Sequence, residues 1–199
     1  TGYDNGALGA THHKLDDIAA IKSLPNIRIY SPSGSKSIMC VLDEAMSSKE
    51  ASYIRITKGG IDEEISVDSP NHMICESETP ILVISHGKMI GNAIEANKIS
   101  PIFSIFAMDC IKPLDHSLLN DLFKRFETIV VIEDNFRSGL YNSLCQWSIE
   151  NRALHTNIHS ISPEESYDSV VGDPAYLEDK HGLSPNKISN RITKIAQEQ

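Results

Sequence analysis

The alternation of short apolar strands with a long amphipathic helical pattern is the feature that most constrains this chain. Ile27 to Tyr30 alternates as a short strand, and the cap-type run Ser31 to Ser35 then opens a segment with apolar residues at helical spacing. A second strand is predicted from Tyr53 to Thr57. Because a strand, a crossover helix and a strand in this order form a parallel sheet, the chain is predicted to be an α/β protein that binds ligands beyond the carboxyl ends of its strands.

The glycine-containing turn ahead of the first strand carries two adjacent histidines. Gly6 and Gly9 allow close approach of a ligand to the main chain, and Thr11 is predicted to cap the helix that follows. His12 and His13 would then lie in the first helical turn, where the dipole favours a neutral imidazole that can bind a sugar hydroxyl or a phosphate. Two solvated polar residues near a helix start are the alternative interpretation of the dipeptide.

The rest of the chain continues the same pattern. The helix after Ser35 is predicted to bury one face, formed by Ile38, Val41, Leu42, Ala45 and Met46. Further strands are predicted at 81–85, 102–107, 128–133 and 157–161. A last helix is predicted to begin at Ser184 and Pro185.

The acidic segment 61–79 contains Pro70, has no strong helical face and is predicted to be a linker. It separates a first part, 1–60, from a second part, 80–199. The second part has the strands and helices of a complete domain, whereas the first has only two clear strands. We therefore expect the amino-terminal part of the first domain to be missing.

Composition excludes some classes of partner. The formal net charge of −9 argues against nucleic acid or an acidic membrane surface. No apolar run approaches the roughly 20 residues that a membrane span needs. The dispersed cysteines are predicted to be reduced thiols rather than a zinc site or disulfides, which fits a cytoplasmic protein: Cys40, Cys75, Cys110 and Cys145.

Taken in order, the motifs resemble those of the transketolase family, which includes transketolase, 1-deoxyxylulose-5-phosphate synthase and the β subunits of the 2-oxoacid dehydrogenases. The run from Gly6 to Gly60 has a Gly-Ala-Thr-His-His turn, a Leu-Pro-Asn bend, a Ser-Pro-Ser helix start and a Tyr-Ile-Arg-Ile-Thr-Lys-Gly strand. It resembles the later half of that family's pyrimidine-binding domain. Three segments resemble the family's carboxy-terminal domain: Ile111 to Asp115, Thr128 to Leu140, and Tyr176 to Leu183.

The resemblance implies a partial parallel-sheet pyrimidine-binding domain over 1–60 and a complete three-layer α/β/α transketolase C-terminal domain over 80–199. It implies thiamine diphosphate with Mg²⁺ in the intact enzyme, which transfers a two-carbon ketol or related acyl unit between sugar phosphates or 2-oxo compounds. This chain alone is expected to bind no cofactor and to be inactive. The implied partners are a second copy of the chain or a complementary amino-terminal subunit. A noncatalytic α/β module for dimerisation or small-anion binding is the alternative.

The resemblance also implies roles for particular residues. His12 matches the histidine of the family's Gly-Pro-Thr-His turn and is expected to act as a hydrogen-bonding or proton-shuttling group on the substrate, with His13 as a second candidate. Lys58 matches a basic residue that holds the substrate's phosphate. Arg55, earlier in the same predicted strand, is either a further substrate-binding residue, a solvated residue or part of an ion pair.

The chain departs from the family's pattern beside the histidines. Leu8 stands where transketolases carry an aspartate that selects the sugar's stereochemistry, and Ala10 replaces a proline. A less usual sugar or 2-oxoacid substrate is compatible with this change, and so is a protein that has lost activity. Other polar residues at predicted strand ends, in His86-Gly87 and Glu133-Asp134, are interpreted as loop and interface residues.

Overall fold

A computed structural model describes residues 1–61, 67–167 and 169–198 and contains two β-sheets. The smaller sheet has three strands. Its central strand β1 (Ile27–Tyr30) pairs in parallel with β2 (Ala51–Ile54) and antiparallel with β6 (Cys110–Lys112). The second half of the chain therefore completes a sheet that the first half begins.

The larger sheet has five strands, which lie in the order β3 (Asn71–Cys75), β5 (Ser104–Met108), β4 (Ile81–Ser85), β7 (Thr128–Ile132) and β8 (Asn157–Ile161). Four of them run parallel, and β3 pairs antiparallel with β5 at one edge.

Seven α-helices lie within the described residues. Their bounds are α1 Asp17–Lys22, α2 Ser35–Ser47, α3 Met89–Ile99, α4 His116–Arg125, α5 Leu140–Glu150, α6 Pro174–Lys180 and α7 Pro185–Gln197, with a short 3-10 helix at Gly6–Leu8. Pro185 occupies the first position of α7, as the sequence predicts. No helix among them is both long and apolar enough to cross a bilayer.

The larger sheet is covered on both faces. Alternate side chains of β4 separate into two cores, with Val83 packing in the core that contains α3 and α7, and Leu82 in the core that contains α4 and α5. This arrangement confirms the predicted α/β class and the three-layer architecture of the second part. Ile18 and Ile29, from the first part, belong to the same core as Leu82, so apolar packing joins the two sheets.

Several local predictions were wrong. Helix α1 begins at Asp17 rather than after Thr11, and β2 ends at Ile54, before Arg55. On α2 only Val41 of the predicted face is fully buried. Leu42 and Met46 are 36% and 84% exposed, because the small sheet covers a narrower stripe of the helix than the apolar pattern spans.

The predicted linker 61–79 is partly regular structure. Strand β3 lies inside it and pairs with β5, although alternation around Asn71 and His72 is too weak to indicate a strand. The linker's residues 62–66 lie outside the described residues. The division of the chain at 60 and 80 stays a prediction.

Candidate functional site

The candidate site is built on an amino-terminal loop, residues 1–15, which is closed between Gly2 and Lys14. The backbone N–H of each of these residues donates to the carbonyl of the other, both at 3.1 Å. Gly2 has φ +49°, and a Cβ there would fall 2.0 Å from Asp134 Oδ2. A Cβ on Gly6 would fall 2.5 Å from the Gly172 carbonyl oxygen. These glycines allow the loop to lie directly on the second half of the chain.

His13 points into the protein from this loop. It is 4% exposed, and its Nε2 lies 3.2 Å from the Gly6 carbonyl oxygen. Tyr3 packs edge-on against His13, with ring centroids 5.3 Å apart, and stacks on His181 at 4.9 Å. These contacts give His13 a structural role in holding the loop, and its burial argues against the predicted contact with substrate.

His12 lies on the exposed surface of the same loop. Its backbone N–H donates to the Gly9 carbonyl at 2.9 Å, and its Nδ1 lies 3.0 Å from Thr11 Oγ1. Among the described residues Nε2 has no hydrogen-bond partner, so this nitrogen is available to a ligand. Both histidines precede the start of α1 at Asp17, and the predicted effect of a helix dipole on them was therefore wrong.

Lys58 is attached to the loop by its main chain and its side chain. Its backbone N–H donates to Asp4 Oδ2 at 2.9 Å, and its Nζ donates to Asn5 Oδ1 at 2.8 Å. Lys58 is exposed, and its side chain contacts the neutral amide of Asn5. The charge of Lys58 therefore remains uncompensated by that contact and can attract an anion.

A buried charge cluster supports the main chain of Lys58. Lys88 Nζ lies 3.0 Å from Asp4 Oδ1 and also forms an ion pair with Glu178. Burial would raise the pKa of Asp4, but the Lys58 N–H and the charge of Lys88 hold it below its ordinary value. Burial would lower the pKa of Lys88, but Glu178 and Asp4 raise it. Both charges are therefore maintained at neutral pH.

Arg55 does not reach a ligand surface. Its side chain is fully buried, with Nη1 2.7 Å from Asp134 Oδ1 and Nε 3.1 Å from Asp17 Oδ2. Its Nη2 donates to the Lys14 carbonyl at 3.0 Å. Burial would lower the pKa of Arg55, but the two carboxylates raise it. Of the alternatives for Arg55, the structure shows the ion pair and excludes the solvated residue, and the substrate contact stays a prediction.

A second buried polar set joins the sheets beneath the loop. His86 Nδ1 lies 2.9 Å from Ser31 Oγ, and His86 Nε2 lies 3.7 Å from Glu133 Oε2. Glu133 accepts backbone N–H bonds from Leu140 at 2.8 Å and Tyr141 at 3.1 Å, at the start of α5. His86 and Glu133 are thus fully buried within the chain, and their predicted place at an interface between copies stays a prediction.

The structure therefore brings His12 and Lys58 to one loop and withdraws His13 and Arg55 into the interior. Sequence reasoning missed the residues that position them, which are Asp4, Asp17, Lys88 and Glu178. Lys88 had a usable signal, because it follows the predicted strand 81–85 at its carboxyl end. The other three have no local pattern that indicates burial.

The fold and the loop together define an α/β protein of two sheets, whose amino-terminal loop lies on the second half of the chain. No family model matches the chain. It is 22% identical to the 1-deoxy-D-xylulose-5-phosphate synthase of Sulfurimonas denitrificans over 198 residues, covering 96% of this chain and 32% of that protein. It is 27% identical to the enzyme of the same description from Listeria innocua over 202 residues, again covering 96% and 32%. The chain thus spans about a third of the length of these curated relatives.

Solved structures show the same fold. A split gene transketolase, described as an inactive beta4 tetramer, superposes with a TM-score of 0.79 at 21% identity, over 93% of this chain and 62% of that chain. Transketolase from Campylobacter jejuni superposes with a TM-score of 0.74 at 15% identity, over 97% of this chain and 30% of that chain. The similarities in sequence and structure confirm the resemblance to the carboxy-terminal portion of the thiamine diphosphate-dependent transketolase family.

Proposed function

We propose that the chain is the carboxy-terminal portion of a transketolase-like enzyme that transfers a two-carbon ketol or related acyl unit between sugar phosphates or 2-oxo compounds. One observation carries the proposal: the exposed imidazole of His12 and the exposed ammonium of Lys58, which match site positions of the family, are both attached to the loop 1–15. Similarity over 96% of the chain to two synthases supports the same conclusion.

In this proposal His12 donates or accepts a hydrogen bond at the substrate through Nε2, because Thr11 already engages Nδ1. Lys58 attracts the phosphate or carboxylate of the substrate as a point charge. Leu8, which is 58% exposed on the same loop, places an apolar surface where transketolases have an aspartate. We propose that substrate choice differs from that of transketolase at this contact.

Thiamine diphosphate is the cofactor that we propose for the intact enzyme, where it would supply the carbanion chemistry. Within the described residues no group of three or more His, Cys, Asp or Glu side chains is arranged to hold a metal ion. The Mg²⁺ that accompanies the diphosphate is therefore assigned to no residue of this chain. We propose that a second copy or a complementary amino-terminal subunit takes part in the complete site, in the cytoplasm.

The split gene transketolase, an inactive β assembly, supports the proposal that this chain alone is inactive. Calorimetric titration of thiamine diphosphate with Mg²⁺ into the 199-residue chain tests this point. We expect no saturable heat. Saturable binding would contradict the proposed division of the cofactor site between this chain and a partner.

Variants in the assembled enzyme test the two site residues. His12→Gln should lower kcat about 10²-fold or more while the affinity for thiamine diphosphate stays unchanged, because it removes a proton-transfer group outside the cofactor site. Lys58→Gln should raise KM for a phosphorylated acceptor about tenfold, and change KM less for an unphosphorylated one.

Lys14→Gln is the matched control for Lys58→Gln. Lys14 is exposed on the same loop, and Lys14→Gln removes the same charge. The contact of Lys14 with Arg55 is kept, because Arg55 donates to the Lys14 carbonyl and not to its side chain. If Lys14→Gln and Lys58→Gln change KM equally, general electrostatics explains the effect and Lys58 has no specific role. Full activity of His12→Gln would remove His12 from the site, whereas an assembled protein with no transferase activity would favour the noncatalytic α/β module.

A further inference from the structure

A second cleft lies where helix α1 and strand β6 meet helices α4 and α5. Its volume is about 400 Å³, within the range of small-molecule sites. None of the residues of the candidate site lines it. The cleft is lined by charged and polar residues, with Trp147 and a few aliphatic side chains: Lys22, Lys112, His116, Gln146, Glu150, Trp147, Ala19, Ile111 and Leu114.

Two lysines and one carboxylate, Glu150, line this cleft and leave it with a net positive charge. Lys22 Nζ donates to the carbonyls of Ser138 and Gly139, both at 3.0 Å, and to Ser143 Oγ at 2.9 Å. Lys112 Nζ donates to the Lys22 carbonyl at 3.0 Å. These acceptors are neutral, so the hydrogen bonds position the two ammonium groups without cancelling their charge.

The two positive charges also repel each other. Burial lowers the pKa of Lys22, the charge of Glu133 raises it and the charge of Lys112 lowers it further. Glu133 is occupied by backbone N–H groups of α5, and Glu150, the carboxylate that lines the cleft, accepts a hydrogen bond from Gln146. An anion bound between the lysines would relieve this repulsion.

The remaining wall supplies a donor and an apolar surface. Trp147 Nε1 donates to His116 Nδ1 at 3.1 Å, so the proton of a neutral His116 ring lies on Nε2, which is then a donor. Gln146 is exposed beside it, and its Nε2 donates to Glu150 Oε1 at 2.9 Å. Ala19, Ile111 and Leu114 line the cleft beside the Trp147 ring.

We infer that this cleft binds a small organic anion, with its phosphate or carboxylate group between Lys22 and Lys112 and its apolar part against Leu114 and Trp147. The inference is independent of the proposed function. Lys112 Nζ and the Nε2 of a neutral His116 can each donate a hydrogen bond to the ligand, and Lys22 attracts the ligand through its charge.

Phenyl phosphate is a suitable probe, because it combines the charge with a compact apolar ring. Trp147 is the only tryptophan in the sequence, and its hydrogen bond to His116 lies in the wall of the cleft. Phenyl phosphate should therefore give a saturable change in tryptophan fluorescence and a saturable heat. Inorganic phosphate should bind more weakly, and uncharged benzyl alcohol should not bind at the same concentrations.

Charge variants at Gln146 test the site without disturbing buried contacts. Gln146→Glu should weaken phenyl phosphate binding about tenfold, and Gln146→Lys should strengthen it, since a charge at this exposed position acts over a short distance. Lys112→Gln should weaken binding at least tenfold. Asn190→Glu and Asn190→Lys are the matched controls, because Asn190 is exposed on α7, which does not line the cleft.

Lys58→Gln separates this cleft from the candidate site, because phenyl phosphate could also bind at Lys58. Phenyl phosphate binding should survive Lys58→Gln. The inference is overturned if Lys58→Gln abolishes the fluorescence change, if neither method detects saturable binding, or if the Gln146 variants change affinity no more than the Asn190 variants.

Discussion

Arg55→Met should destabilise the folded chain strongly, because it removes the buried cation between two carboxylates. The guanidinium contacts Asp134 at 2.7 Å, Asp17 at 3.1 Å and the Lys14 carbonyl at 3.0 Å. Methionine fills much of the volume but leaves both carboxylates buried without their partner. Breaking a buried ion pair in this way costs about 3–5 kcal/mol, and two carboxylates place Arg55→Met toward the upper end.

Urea unfolding followed by the fluorescence of Trp147 measures this loss, because Trp147 is buried in the core. With an m-value of about 2 kcal/mol per molar urea, a loss of about 4 kcal/mol lowers the unfolding midpoint by about 2 M. Arg28→Met is the control. Arg28 forms ion pairs with Glu44 and Glu50 but its side chain is 22% exposed, so its removal should cost about 1 kcal/mol or less.

A rescue experiment isolates the charge effect. Asp17→Asn together with Asp134→Asn should recover much of the stability that Arg55→Met loses, because the uncompensated charges are then absent. The reasoning is refuted if Arg55→Met costs no more than Arg28→Met, or if the asparagine pair gives no recovery. A fully stable Arg55→Met protein with an altered KM would restore the substrate-binding interpretation of Arg55.

Two further predictions concern stability. Burial raises the pKa of Asp109 to about 6 although Ser37 and Ser33 donate to it, so the folded state holds this proton more tightly than the unfolded chain. The free energy of unfolding should therefore fall as pH rises from about 4 to about 6. The urea midpoint of Asp109→Asn should not show this fall. Parallel pH profiles of the urea midpoint for the two proteins would contradict the prediction. Gly2→Ala should lower the midpoint more than Gly59→Ala, since both have positive φ but only at Gly2 does a Cβ meet Asp134; equal losses would show that the contact with Asp134 is unimportant.

The parallel strands of the larger sheet could be predicted well from the sequence, and the central ones are nearly continuous apolar runs. Ile81–Ser85, Thr128–Ile132 and Asn157–Ile161 have the predicted positions to within a residue, and the first two are buried along their whole length. Burial on both faces produces this pattern in a parallel strand, so the sequence alone carries the information. The antiparallel strands β3 and β6 are short or only partly buried, and their partners are distant in sequence.

The amino-terminal loop could not be predicted, because long-range contacts override its local signals. Thr11 is a good helix cap by type, but the bridge between Gly2 and Lys14 and the stacking of Tyr3 on His181 hold this segment out of a helix. His13 and His12 are adjacent in sequence, and the same contacts bury one ring and expose the other. No periodic pattern distinguishes them.

The exposed groups of the candidate site depend on buried charges from the other half of the chain. Asp134 forms an ion pair with Arg55, and Arg55 donates a hydrogen bond to the Lys14 carbonyl. This contact stabilises the closed loop that carries His12. Lys88 forms an ion pair with Asp4, and Asp4 accepts a hydrogen bond from the backbone N–H of Lys58. Each proposed site residue is thus positioned by an ion pair between distant segments. This explains why local sequence patterns did not indicate these supporting residues, whereas His12 and Lys58 could be proposed from a family resemblance. A change in the second half of the chain can therefore alter the site without contacting a substrate.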